Sequence, residues 1–179
     1  MKETLALTSN STEQHRREAP SSVACSIITV SDTRTPETDK SGQLIRELLE
    51  GAGHTVADYA IVQDDYDGIA ALLRSAADNP QVEAVLLNGG TGIAGRDTTF
   101  EAVRDQLHKE MPGFGEIFRY LSFAEDIGSA AILSRAIAGT IGSTAVFSMP
   151  GSTGAVRLAM TRLIVPELGH VMRELYKDR

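Results

Sequence analysis

Apolar residues along this chain fall by turns into short continuous runs and into stripes of helical spacing, and that alternation predicts most of the secondary structure. VACSIITV, Val23 to Val30, is a β-branched run suited to a buried strand. After a polar stretch, GQLIRELLEGAG sets Leu44, Ile45, Leu48 and Leu49 on one helical face, with Gly51 or Gly53 as the stop. TVADYAIV predicts a second strand, IAALLRSAAD a helix opened by QDDYDG and closed by Asn79 and Pro80, and VEAVLLN a third strand. A further helix is expected from near Thr99 to about Leu107, capped by Thr98 or Thr99. FGEIFRYLSF and SAAILSRAIAG read as helical pieces and STAVFSM as a strand. TGAVRLAMTRLIVPELGHVMRELY reads as a closing helical segment that Pro166 should break or kink. Strands alternating with helices are the pattern of parallel crossover units, so the expected fold is a three-layer α/β/α sandwich around a mostly parallel sheet.

Composition narrows this picture without naming an activity. A chain of 179 residues is expected to hold one domain, here residues 22–179, preceded by a polar tail over 1–21 that has no periodic apolar face and reads as disordered. The formal charge of -7 argues against nonspecific nucleic-acid binding, which needs a basic face. Cys25 is the only cysteine, which fits a reducing compartment and makes the cytoplasm the expected location. Arg16 and Arg17 ahead of an apolar run faintly suggest a twin-arginine signal, and Ala24-Cys25 a lipidation site. Neither reading holds, because the segment before Cys25 is polar and the apolar run ends at once in SDTR, too short for a membrane span. The four histidines have no zinc-ligand spacing.

Candidate chemistry gathers in VLLNGGTGIAGRDTTFEAV, which contains a literal G-x-G-x-x-G at Gly90, Gly92 and Gly95. A dinucleotide fingerprint would follow the first strand and be matched about twenty residues later by an acidic side chain ending the second strand. Here the motif follows the third strand, and Glu116 lies in helix-like sequence. A nicotinamide or flavin site is therefore disfavoured, and no redox cofactor is expected. A Walker A loop fails because no Lys-Ser or Lys-Thr follows. NGGTG is then either a plain strand-to-helix turn or a phosphate cradle. Its place at the carboxyl end of a parallel strand, ahead of a helix N-terminus, favours the cradle.

GRDTT adds charge to that loop. Arg96 could neutralise phosphate or simply face solvent, and Asp97 either caps a helix or holds a cation beside the phosphates. Asp64, Asp65 and Asp67 follow the second strand, on the same sheet edge. They are a solvated helix start or, with Asp97, carboxylates for Mg²⁺. SDTRTPETDKSG and MPGST end the first and a later strand at that edge, and Ser152 or Thr153 could cap the next helix and offer a hydroxyl. No G-x-S-x-G is present to make Ser152 a nucleophile.

Together, TVSDTRTPETDKSG, LLNGGTGIAGRDTTFEAV, GFGEIFRYLSF, SRAIAG and MPGSTGAV, in this order, resemble the MoaB/Mog family of molybdenum cofactor biosynthesis, more closely its MoaB branch. The likeness runs from about Val23 to Tyr176. It implies a molybdopterin-binding α/β fold and, in active members, Mg²⁺-dependent transfer of an adenylyl group from ATP to molybdopterin. Carried over by position, Gly89, Gly90, Thr91 and Gly92 form the phosphate loop, Asp97 and Asp64 are the catalytic, metal-placing acids, and Asp32, Ser41 and Gly42 belong to the first ligand loop. Pro150, Gly151 and Ser152 match the late loop near the nucleotide, with Arg96 beside the phosphates. The resemblance further implies a homo-trimer or hexamer and a separate molybdate-insertion partner. Some relatives on this branch do not adenylylate, so a non-catalytic molybdopterin-binding or assembly protein is the alternative. This chain departs from many relatives in having Gly95 and Phe100 where they have proline, but it keeps both Asp64 and Asp97.

Overall fold

The computed structural model describes residues 19–177, and the element order follows the apolar pattern closely. Strands β1 (Ala24–Val30), β2 (Thr55–Val62) and β3 (Ala84–Asn88) alternate with helices α1 (Lys40–Gly51) and α2 (Tyr66–Asp78). Helix α3 (Thr99–Gln106), the two-residue β4 (Lys109–Glu110) and α4 (Pro112–Glu125) follow. A 3-10 turn (Gly128–Leu133) then leads to β5 (Ile137–Ile141), β6 (Thr144–Met149), α5 (Thr153–Ala159) and α6 (Val165–Tyr176). Among the described residues no helix is long and apolar enough to cross a membrane.

The sheet order is β2-β1-β3-β6-β5-β4, with β2, β1, β3 and β6 mutually parallel and β5 and β4 antiparallel to their neighbours. Side-chain alternation along the central strands divides the core in two. Cys25, Ile27, Ala84 and Leu86 meet Leu44, Ile45 and Leu49 of α1, Phe118 of α4 and Val156, Leu168 and Met172 of the C-terminal helices. Ile28, Val30, Val85 and Leu87 meet Ile69 and Leu73 of α2 and Val103 of α3 on the opposite face. Each fully buried Leu, Ile or Phe in these layers contributes about 1.5–3 kcal/mol of transfer free energy, which fixes the sheet between its helices. The predicted three-layer sandwich is present; its inner parallel strands β1, β3 and β6 are buried on both sides, while β2 at the sheet edge is half-exposed.

Three expectations change. SAAILSRAIAG is not one helical piece: a single 3-10 turn ends at Leu133, and Ile137-Ala138-Gly139 enters β5, where Gly139 leaves no room for a side chain because a Cβ would meet the Lys109 carbonyl. Pro166 does not end the closing segment, but the α-helix is interrupted by a π turn just before it. Residues Met160–Ile164 form a π turn in which the Val165 amide donates to the Met160 carbonyl, and the helix resumes with the proline in its first turn, where a missing N–H is harmless. Residues 1–18 of the expected tail lie outside the described residues, but Ala19 and Pro20 are half-buried against Gly169 of α6.

Glu83, just before β3, joins the start of β1 to the end of α6. Its carboxylate accepts the Ala24 amide at 2.8 Å and the Tyr176 hydroxyl at 2.8 Å. A cleft of about 520 Å³ opens there, lined in part by Pro80, Ser143 and Tyr176. It lies at the amino ends of the parallel strands, away from the turns that carry the candidate chemistry.

Candidate active site at the carboxyl edge

Four parallel strands deliver four turns to one edge of the sheet, and polar side chains lock those turns together. The turn after β1 is organised by Asp39, whose side chain is fully buried at the start of α1. Its carboxylate accepts the Gly42 amide at 3.0 Å, the Ser41 hydroxyl at 3.0 Å and the Tyr59 hydroxyl at 2.5 Å. Burial alone would raise the Asp39 carboxyl, but bonds from Thr29, Tyr59, the Gly42 amide and Ser41 hold it below the usual carboxylate value. Burial first, and then the Asp39 carboxylate, push the Tyr59 hydroxyl up to about 12. Arg34 pairs with Asp39 at 3.1 Å, bonds Ser41, and donates to the Gly151 carbonyl at 3.2 Å. One guanidinium thus ties the turn after β1 to the turn after β6.

Ser41 and Gly42 are therefore structural members of this edge. Ser41 is fully buried, and its hydroxyl donates toward Asn88 at 2.9 Å. Asp32 stands outside this knot and is exposed; it accepts the Asp64 amide at 3.2 Å, joining the turns after β1 and β2. Arg96, with a side chain 81% exposed, reaches Asp32 only at 4.0 Å, a pairing worth little in water.

The glycine loop rises from the end of β3. Gly89 and Gly90 have φ of 103° and 61°, a region closed to most side chains, and a Cβ on Gly89 would strike the Val30 carbonyl. Asp64 covers Gly90: a Cβ there would lie 2.5 Å from its Oδ2 and collide with the Thr99 hydroxyl. Asp97 covers Gly92 in the same way. Two carboxylates thus face one loop. The amides of Gly90, Thr91 and Gly92 donate to no group among the described residues, so a stretch of backbone donors is open at this point.

Each acid is held by a different element. Thr98 donates to Asp64 Oδ1 from its amide at 3.0 Å and from its hydroxyl at 2.9 Å. Thr98 is the N-cap residue of α3, but its hydroxyl is committed to Asp64 rather than to the helix. Asp97 accepts the Ala94 amide at 3.1 Å, closing its own loop instead of capping α3. Of the acidic cluster after β2, Asp65 is the helix cap, accepting the Gly68 amide at 2.8 Å, which leaves Asp64 to the glycine loop. Ser152 caps α5 by accepting the Ala155 amide at 3.2 Å, and Gly151 packs so close to Gly89 that a Cβ would lie 2.9 Å from its Cα. Pro150 half-buries as the chain leaves β6.

Two clefts open along this edge, neither of them lined by Gly89 to Gly92. One of about 490 Å³ lies between Arg34, Asp32, Pro36 and Tyr59. The other, about 510 Å³, is lined by Tyr66, Asp97, Thr98, Glu101 and Arg135 among others. Arg34, Asp39, Glu101 and Arg135 are members of this edge that sequence reasoning missed. Nothing in their spacing shows which turn a long side chain will reach.

Residues 26–170 match the family model described as a probable molybdopterin binding domain. The chain belongs to the MoaB/Mog family of molybdenum cofactor biosynthesis proteins. A relative from Halalkalibacterium halodurans, molybdenum cofactor biosynthesis protein B, is 70% identical over 169 residues, covering 94% of this chain and 99% of its own. A crystal structure of a molybdenum cofactor biosynthesis protein B is 59% identical, with a TM-score of 0.87 over 89% of this chain and 99% of that one. The tungsten cofactor synthesizing protein MoaB from Pyrococcus furiosus is 36% identical, with a TM-score of 0.77 over 88% of this chain and 99% of that one. The matched residues 26–170 include all four turns of the carboxyl edge.

Proposed function

We propose that this edge, within molybdenum cofactor biosynthesis, transfers an adenylyl group from ATP to molybdopterin, releasing pyrophosphate. The observation that carries the reading is the row of open amides at Gly90, Thr91 and Gly92 with one carboxylate over Gly90 and another over Gly92. Bare donors of this kind suit phosphate oxygens, and a glycine backbone lets them approach without side chains between.

Mg²⁺ fits the donor set. Asp64 and Asp97 offer only hard oxygen ligands, and no three metal-binding side chains gather among the described residues, so substrate phosphates and water would complete the coordination. Asp64 and Asp97 would hold the ion, whose bound charge would offset that of the reacting phosphates.

The chain's own residues align two polyanions that repel each other. The terminal phosphate oxygen of molybdopterin attacks the α-phosphorus of ATP; a new P–O bond forms, the bond to the β-phosphate oxygen breaks, and its electron pair leaves on pyrophosphate. Loop amides take up charge on the phosphates, and no covalent enzyme intermediate is required. Arg96 stands at the mouth as a diffuse cation. Asp39, Ser41, Gly42 and Arg34 keep the turns after β1 and β6 in register with the loop, where Pro150, Gly151 and Ser152 border the nucleotide. We also assign Ile117, Tyr120 and Phe123, an exposed apolar stripe on α4, to self-association as a trimer or hexamer, and the product to a separate molybdate-insertion protein.

The purified protein incubated with molybdopterin, ATP and Mg²⁺ should yield adenylyl-molybdopterin, and Asp97→Ala or Asp64→Ala should lower kcat by about 100-fold or more. Tight molybdopterin binding with no ATP consumed would overturn this reading in favour of a non-catalytic pterin-binding or assembly protein.

A further inference from the structure

We propose that Arg135 is a positioning residue for the phosphate loop, setting the distance between the middle of that loop and helix α3. The inference rests on the adenylyl-transfer reading for what the loop does, but not for how the loop is held.

Topology brings Arg135 to this edge. Because β5 runs antiparallel to β6, with Ile137 opposite Ser148, the residues just before β5 lie at the carboxyl ends of the parallel strands. Arg135 Nη1 donates to the Gly92 carbonyl at 2.8 Å. Its Nη2 pairs with Glu101 in the first turn of α3, and the guanidinium carbon lies 4.4 Å from the centre of the Phe100 ring. Three contacts in three directions fix one planar group. Glu101 Oε2 is buried with no partner, and Arg135 is the first of the groups that hold the carboxylate in its charged form, ahead of the residue's own backbone amide and Arg104.

The loop needs such a restraint. Residues Ile93 to Arg96 are exposed, and Gly92 and Gly95 add backbone freedom that must be given up each time the amides line up on a ligand. Asp64 holds the far end of the loop through Thr98, and Gly89 is wedged under Val30. Between those anchors, Arg135 is the side chain from another element that grips the backbone, at the residue whose amide faces the proposed phosphate. A lysine keeps the charge but has no fork, so it cannot serve Gly92 and Glu101 together while stacking on Phe100.

Arg135→Lys and Arg135→Gln test this beside Glu101→Gln, with three readouts: melting temperature, amide hydrogen exchange peptide by peptide, and kcat and KM for ATP. Arg135→Lys should melt within a few degrees of the parent yet exchange about tenfold faster over 94–98, where the amides of Ala94, Asp97 and Thr98 are hydrogen-bonded, and nowhere else. Its kcat/KM for ATP should fall by about 10- to 100-fold, as expected when a reacting group is displaced by about an ångström. Arg135→Gln should be worse on both counts, and Glu101→Gln, which leaves the grip on Gly92, should be milder. Unchanged exchange over 94–98 in both Arg135 variants, or acceleration spread evenly over the protein, overturns the proposal. If the parent protein itself makes no adenylyl-molybdopterin, the earlier reading fails, and local exchange still decides the role of Arg135.

Discussion

At the residue scale, two glycines of one motif have opposite meanings. Gly90 combines a φ of 61° with carboxylate and hydroxyl neighbours that leave no space for a Cβ, whereas a Cβ on Gly95 would meet nothing within 4 Å. Gly90→Ala should therefore cost about 1–3 kcal/mol in chemical denaturation and abolish phosphate-dependent activity, because backbone strain and displacement of Asp64 coincide. Gly95→Ala should change stability by less than about 0.5 kcal/mol, or raise it slightly through the unfolded chain. Equal losses in the two variants would show that the space around Gly90 is not restrictive. The G-x-G-x-x-G spacing is thus coincidental in its third member. The sequence pointed that way, since the motif follows the third strand and lacks the ribose-binding acid of a dinucleotide fold. What could not be read was the reason Gly90 must be bare, because Asp64 covers it from a turn 26 positions away and no local pattern encodes that approach.

At the scale of elements, helix α3 exchanges a conventional cap for a grip on Asp64. Both the amide and the hydroxyl of Thr98 point to that carboxylate, joining the end of β2 to the beginning of α3. Thr98→Val keeps the size and the amide bond but removes the hydroxyl. Stability should fall by about 1 kcal/mol, the usual worth of one hydrogen bond, while adenylyl transfer should fall further than that loss explains. A thermal melt with initial rates separates the two effects, and a rate unchanged from the parent would remove Thr98 from the description of the site. Elements themselves were largely predictable, because buried parallel strands are apolar runs and the helices show clear stripes. The exceptions have physical causes. SAAILSRAIAG mixes small apolar residues that fit either a turn or a strand, and its second half joins the sheet because Gly139 admits the backbone of β4 so closely. Two-residue β4 has no pattern long enough to detect. Pro166 is tolerated because the π turn before it absorbs the missing donor.

For the molecule as a whole, apolar surface remains uncovered. Ile117, Tyr120 and Phe123 are 50%, 67% and 58% exposed along α4, followed by Ile132 at 82% and Leu133 at 54%. A stripe of this kind marks an interface more often than bare surface. Light scattering should give a mass that is a multiple of three protomers, and Phe123→Glu combined with Tyr120→Glu should reduce it while leaving the far-ultraviolet spectrum intact. A monomeric parent protein would refute the assignment. Sequence showed that this helix exists but not that its stripe faces outward, because α4 also carries Phe118, fully buried against the sheet.

The Glu83 clasp has a practical consequence. By drawing Ala24 and Tyr176 to a single carboxylate on the side opposite the glycine loop, it makes the start of the first strand and the last turn of the closing helix neighbours. A label placed at either of those two positions would therefore report on the same corner of the molecule, remote from the carboxyl edge.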